Sequence, residues 1–107
     1  MSTEIINELF KILKQRRTAD PSTSYVAGLY AEGSDQILKK IGEEAAELLI
    51  AGKGGLENEI IHETADLWFH SLVLLAYNEI DADRIMSELE RRLGKSGLEE
   101  KVSRPRK

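Results

Sequence analysis

An all-α bundle of four to five helices is the fold class this sequence predicts, and three observations predict it. Apolar residues recur at helical spacing along nearly the whole chain, no alternating run of strand length competes, and clusters of Ser, Asp, Pro and Gly fall where helices begin and end. The chain has 107 residues, 41% hydrophobic and 32% charged. That is enough for one compact domain over residues 1–107 and too short for two. With no cysteine, disulfides, thiolate metal sites and cysteine nucleophiles are excluded.

The first helix is expected from Thr3 to Arg16, carried by Ile5, Ile6, Leu9, Phe10, Ile12 and Leu13, with Ser2 or Thr3 as its cap. Asp20-Pro21 ends it, and the short polar side chains from Thr18 to Ser24 compete with the backbone for hydrogen bonds, which favours a loop. Ser24 then caps a short helix from Tyr25 to Glu32, and Gly33 stops it. Ser34 is expected to cap a long helix from Asp35 to Ala51, after which Gly52, Gly54 and Gly55 break the chain. A second long helix is expected from Leu56 to Tyr77. Asp81 caps the last one, which carries Ala82, Ile85, Met86, Leu89 and Leu93 before Gly94.

Charge is unevenly placed. The net is -4, yet between Glu43 and Asp66 seven acids face one base, Lys53, while a basic and flexible tail is expected over 95–107. A cation is drawn to the first region and an anion to the second. The longest strongly apolar stretch, Leu72 to Tyr77, falls far short of the roughly 20 residues of a membrane span. The start, Met1 to Glu4, lacks the features of a signal peptide. The expectation is a cytoplasmic protein that engages neither membrane nor nucleic acid.

The chemistry lies on the two long helices. Glu44 with Glu47, and Glu63 with Asp66, are each spaced i, i+3, so each pair shares one face of its helix. Two antiparallel helices can therefore present four carboxylates to one point. Glu44 falls beside Ile37, Ile41 and Leu48 on an apolar stripe, where a surface glutamate has no reason to be. From Glu63 to Tyr77 ten of fifteen residues are apolar and point all round the helix, leaving Glu63, Asp66 and His70 as the exception. Such a helix is buried, and these groups are expected to be buried with it. Buried like charges cost several kcal/mol unless protonated, paired or bound to metal. Carboxylate oxygens without cysteine suit a hard cation, Mg²⁺ or Mn²⁺. The competing account pairs the acids with Lys39, Lys40 or arginines of a neighbouring helix, but basic residues nearby are few.

Taken together, the motifs resemble a known family. The pattern Glu44-x-x-Glu47, then fifteen residues, then Glu63-x-x-Asp66, is similar to the signature of the all-α, MazG-like nucleoside triphosphate pyrophosphohydrolases. Asp20-Pro21, Ser24-Tyr25, Lys39-Lys40-x-Gly42-Glu43-Glu44-Ala45-x-Glu47, Ala65-Asp66-Leu67-x-x-His70 and Ser96-Gly97-x-Glu99-Glu100-Lys101-x-x-Arg104 resemble, within that group, the phosphoribosyl-ATP pyrophosphatases. The chain departs from that family at Val26 and Gly28, where it usually has Thr and a basic residue. The resemblance implies a Mg²⁺-dependent hydrolase of histidine biosynthesis that splits phosphoribosyl-ATP into phosphoribosyl-AMP and pyrophosphate, and a homodimer.

Under that reading Glu44, Glu47, Glu63 and Asp66 hold metal, and Glu43 or one of the ligand glutamates takes the proton of the attacking water. Lys39, Lys40, Arg91, Arg92, Lys101 and Arg104 are candidates for the phosphates. Arg92 shares a face with Ile85 and Leu89 and is preferred to Arg91. His70 is open between a substrate contact, support of the acids and a hydrogen-bonded core histidine, while His62 is assigned no role. The alternatives are a pyrophosphohydrolase for another nucleotide, against which the Ser-Gly-x-Glu-Glu-Lys segment argues, and a helical interaction module without catalysis.

Overall fold

In a computed structural model of the chain, which describes residues 2–93, five α-helices and one 3-10 turn follow one another with no strand among the described residues: α1 (Ser2–Gln15), the 3-10 turn Arg16–Thr18, α2 (Tyr25–Glu32), α3 (Ser34–Gly54), α4 (Glu57–Tyr77) and α5 (Asp83–Leu93). The all-α expectation holds. No helix among the described residues is long and apolar enough to cross a membrane.

Local chemistry sets most boundaries. After α1, Asp20 Oδ1 accepts from the Ser22 backbone N–H at 2.9 Å and from the Ser22 hydroxyl at 2.9 Å, closing the turn between α1 and α2. These bonds, backbone first, lower the Asp20 pKa. Ser24 Oγ accepts from Ala27 N–H at 3.1 Å and so caps α2. Gly33, at φ 99°, ends it.

The first long helix departs from expectation at both ends. Ser34 does not cap α3 but is its first residue, with Gly33 in the cap position and no side-chain hydrogen bond there. At the other end α3 runs through Gly52 and Gly54 and stops at Gly55, where φ reaches 81°. A glycine inside a helix costs only about 1 kcal/mol relative to alanine, so three glycines do not by themselves make a break. The left-handed conformation at Gly55 does. Only Gly55 and Leu56 separate α3 from α4, and a link that short folds the two long helices into an antiparallel hairpin. Asp81 caps the last helix as expected, its Oδ1 accepting from Asp83 N–H at 3.0 Å.

The core gathers at one end of this hairpin. Phe10 and Leu13 of α1, Val26 and Leu29 of α2, Ile37 of α3, Leu72, Val73 and Ala76 of α4, and Ala82 form one buried cluster. Polar contacts tie the same end together. Tyr30 donates its hydroxyl to the Leu13 carbonyl at 2.8 Å, Arg17 donates to the Ala76 carbonyl at 3.0 Å, and the rings of Tyr30 and Tyr77 stack at 6.2 Å.

Candidate active site

The carboxylates stand midway along the α3–α4 hairpin, between the core and the Gly55 turn. Of the candidate carboxylates, Glu44 alone is buried, at 6% exposure. Glu63 and Asp66 are half-buried, and Glu43 and Glu47 are exposed. The expectation that the acidic stripe of α4 is buried is therefore corrected to partial burial. The reason is α4 itself: its apolar faces are not all covered within one chain, and Ile61 and Trp68 are 57% and 59% exposed.

Contacts link the acids across the two helices. Glu63 faces Glu47, and its pKa is raised, first by burial and then by the Glu47 charge, with Asp66 adding and His62 opposing. Glu63 Oε1 is closed off from solvent with no hydrogen-bond partner. Asp66 Oδ2 lies 3.3 Å from His62 Nε2, one helical turn back. Ligand atoms of His62, Glu63 and Asp66 all lie within 4.8 Å of one another. Glu44 and Glu47 do not join that group at this spacing.

Glu44 has different company. Its Oε1 lies 2.5 Å from His70 Nδ1, and the same nitrogen lies 3.1 Å from the Asp66 carbonyl; Glu44 Oε1 is likewise buried without a hydrogen bond. His70 is itself buried at 6% exposure, and its Nε2 lies 2.8 Å from the Tyr25 hydroxyl. Two buried, unsatisfied carboxylate oxygens fit a divalent cation, since an oxygen shut from water and given no donor is stable only if something positive approaches it.

The basic candidates are dispersed. Lys40 is half-buried and pairs with Glu43 at 3.4 Å, a contact that raises the Lys40 pKa. It lines a groove of about 450 Å³ together with Gln36, Gly28 and the loop Pro21 to Tyr25. Lys39 is exposed. Arg92 donates to Glu88 on its own helix at 3.1 Å, as Arg91 does. Lys101, Arg104 and the rest of the tail over 95–107 lie outside the described residues.

Sequence reasoning gave no part to His62 or Tyr25. For His62 the signal was available, an i, i+4 spacing to Asp66 on the same helix. The Ser24-Tyr25 motif marked Tyr25 without its partner, because it reaches His70 only through the packing of α2 against the hairpin.

The family model described as phosphoribosyl-ATP pyrophosphohydrolase matches residues 6–93. The chain is 52% identical to the phosphoribosyl-ATP pyrophosphatase of Geobacter metallireducens over 96% of this chain and 94% of that one. It is 54% identical to the protein of that name from Trichlorobacter lovleyi, over 94% and 93%, and 54% identical to that from Methylococcus capsulatus, over 94% and 96%. With a match of this length and relatives of this similarity, the chain belongs to the phosphoribosyl-ATP pyrophosphohydrolase family.

Proposed function

We propose that this chain hydrolyses phosphoribosyl-ATP between its α- and β-phosphates in histidine biosynthesis, with Mg²⁺, for which Mn²⁺ can substitute, held by Glu44, Glu47, Glu63 and Asp66. Family membership makes the chain a hydrolase and supports the substrate. The observation that carries the metal site is the pair of buried oxygens, Glu44 Oε1 and Glu63 Oε1, that no protein donor satisfies. Bound there, the cation supplies charge neutralisation for the triphosphate and a more acidic water.

The chain's own groups do the remaining work. A carboxylate, Glu43 or one of the ligand glutamates, accepts the proton as a water oxygen bonds to phosphorus; the anhydride P–O bond breaks, and pyrophosphate leaves. Lys40, at the lip of the groove beside Tyr25, and Lys39 next to it contact phosphate oxygens. Arg92, Lys101 and Arg104 are proposed for the remaining phosphates, including that of the second ribose.

The same reading makes the chain a cytoplasmic homodimer. Leu49, Ile50, Ile61 and Trp68 are all more than half exposed on the α3–α4 hairpin, and a two-helix hairpin is half of a four-helix core, so a second copy supplies the missing cover. Sedimentation at micromolar concentration is expected to show a dimer, and a monomer would remove this part of the reading.

Pyrophosphate release with phosphoribosyl-ATP, ATP and dUTP in parallel tests the activity. Turnover of phosphoribosyl-ATP well above the other two, abolished by a chelator, is the expected result. Equal turnover of dUTP, or none of phosphoribosyl-ATP, rejects it.

A further inference from the structure

We propose that Tyr25 and His70 are positioning residues that together set the carboxylate of Glu44, the Tyr25 hydroxyl being engaged by the His70 ring and not by the nucleotide. The inference rests on the metal-site reading above and assigns a task to two side chains outside the ligand set.

Glu44 is the buried acid of the site, and among the described residues no Lys or Arg nitrogen stands within ion-pair distance of it. Its close neighbour is the His70 imidazole, and that ring is held on every side. Nδ1 faces the Asp66 carbonyl at 3.1 Å and Glu44 Oε1 at 2.5 Å. Nε2 faces the Tyr25 hydroxyl at 2.8 Å. The ring meets Phe69 edge-on at 5.2 Å and Tyr25 edge-on at 5.8 Å.

The hydrogen positions follow from the inventory of donors. A carbonyl and a carboxylate only accept, so Nδ1 must carry a hydrogen. In the neutral ring Nε2 is then the acceptor, and the Tyr25 hydroxyl donates to it. Burial pushes the Tyr25 hydroxyl's pKa up, the nearby Glu44, Asp66 and Glu43 charges push the same way, and Lys40 opposes them, which keeps the phenol hydrogen in place. Without the hydroxyl, Nε2 is left in the interior with no partner, and the ring loses the contact that fixes its orientation on that side. Nδ1 is then no longer held in line with Glu44. Tyr25 on α2 therefore governs a ligand on α3 through a ring on α4, and the same Nδ1–H lies between the backbone of Asp66 and the side chain of Glu44, one acid from each helix.

The experiment titrates Mn²⁺, followed by its spin resonance signal, into the full chain and into Tyr25→Phe, His70→Asn, the double variant and Glu44→Gln, with thermal melts to establish that each is folded. Tyr25→Phe is expected to weaken Mn²⁺ binding about tenfold, the size of effect usual for groups that orient metal ligands, and to lower kcat at limiting Mg²⁺ while the nucleotide KM at saturating Mg²⁺ stays put. His70→Asn carries an amide N–H at the Nδ1 position that needs no help from Tyr25. It is expected to retain more affinity than Tyr25→Phe, and adding Tyr25→Phe to it is expected to cost nothing further. Unchanged Mn²⁺ affinity in Tyr25→Phe overturns the proposal, as does a raised nucleotide KM at saturating Mg²⁺ or a full additional loss in the double variant. If Glu44→Gln binds Mn²⁺ as well as the parent, the metal-site reading fails and takes this inference with it. If Glu44→Gln loses Mn²⁺ and Tyr25→Phe does not, only the inference fails.

Discussion

The two ends of the α3–α4 hairpin are made of similar residues and treated in opposite ways. Where α1 and α2 pack across it, Ile37, Val73 and Ala76 are fully buried, and backbone carbonyls of Leu13 and Ala76 are reached by Tyr30 and Arg17 side chains. Toward Gly55, Leu49 and Ile50 are 76% and 73% exposed. The acids stand between. Burial, and with it the stability of the single chain, is concentrated at one end, which leaves the middle of the hairpin to hold groups that repel each other and the far end uncovered.

Substitutions at each end put that division to the test. Ile37→Ala removes a fully buried side chain from the covered end and is expected to cost about 3 kcal/mol, read as a drop in Tm on the order of 15 °C. Activity per folded molecule is expected to hold. A shift of only a few degrees would erase the contrast between the ends.

The middle is expected to behave inversely. Glu63→Gln takes away a charge already disfavoured by burial and by Glu47, so stability without metal stays level or rises. Turnover falls on the order of a hundredfold, about 2.7 kcal/mol in the barrier, and Mg²⁺ raises the variant's Tm less than the parent's. Equal destabilisation with Mg²⁺ and with chelator, at undiminished activity, would falsify the division of labour.

Ile61→Lys sharpens the comparison at the open end. Because Ile61 is exposed in the single chain, the isolated fold is expected to change by no more than about 0.5 kcal/mol. On the proposed homodimer, the Tm of the parent depends on protein concentration and that of the variant is expected not to. Melts across a hundredfold dilution series, alongside sedimentation, read both effects.

The smallest effect is expected on α5, away from the hairpin acids. Arg91 first, then Arg92, hold the Glu88 pKa at about 2, below its ordinary 4.5. A folded value below the unfolded one means the stabilisation is complete above 4.5 and is lost as pH falls from there toward about 2. Since the cluster is exposed, hydrogen exchange along α5 is expected to quicken only slightly over that range, and salt is expected to blunt the change.

Periodicity and caps made much of this legible in the sequence, and the exceptions have physical causes. Ser24, Gly33 and Asp81 act through neighbours a few residues away, so their parts as caps and stops were readable. Gly52 and Gly54 were misread because a break needs a left-handed backbone, which composition does not reveal. Glu44 was placed on the buried side of α3 by its companions Ile37 and Ile41. The burial of the α4 stripe was overstated because the apolar pattern of Ile61 and Trp68 says that a face wants cover without saying which chain provides it. The contact between Tyr25 and His70 depends on how α2 crosses the hairpin, and no local pattern encodes that crossing.

The two-residue link at Gly55 and Leu56 also orders events in time. Glu44 and Asp66 lie on either side of one hairpin turn, so closing the chain between them loses little entropy compared with docking α1 on α4. An early hairpin brings the acids near one another before most of the core has formed to hold them there. Their repulsion then belongs to the folding barrier as well as to the finished protein. On the proposed metal reading, Mg²⁺ in the refolding buffer acts mainly on the folding rate and leaves the unfolding rate nearly unchanged.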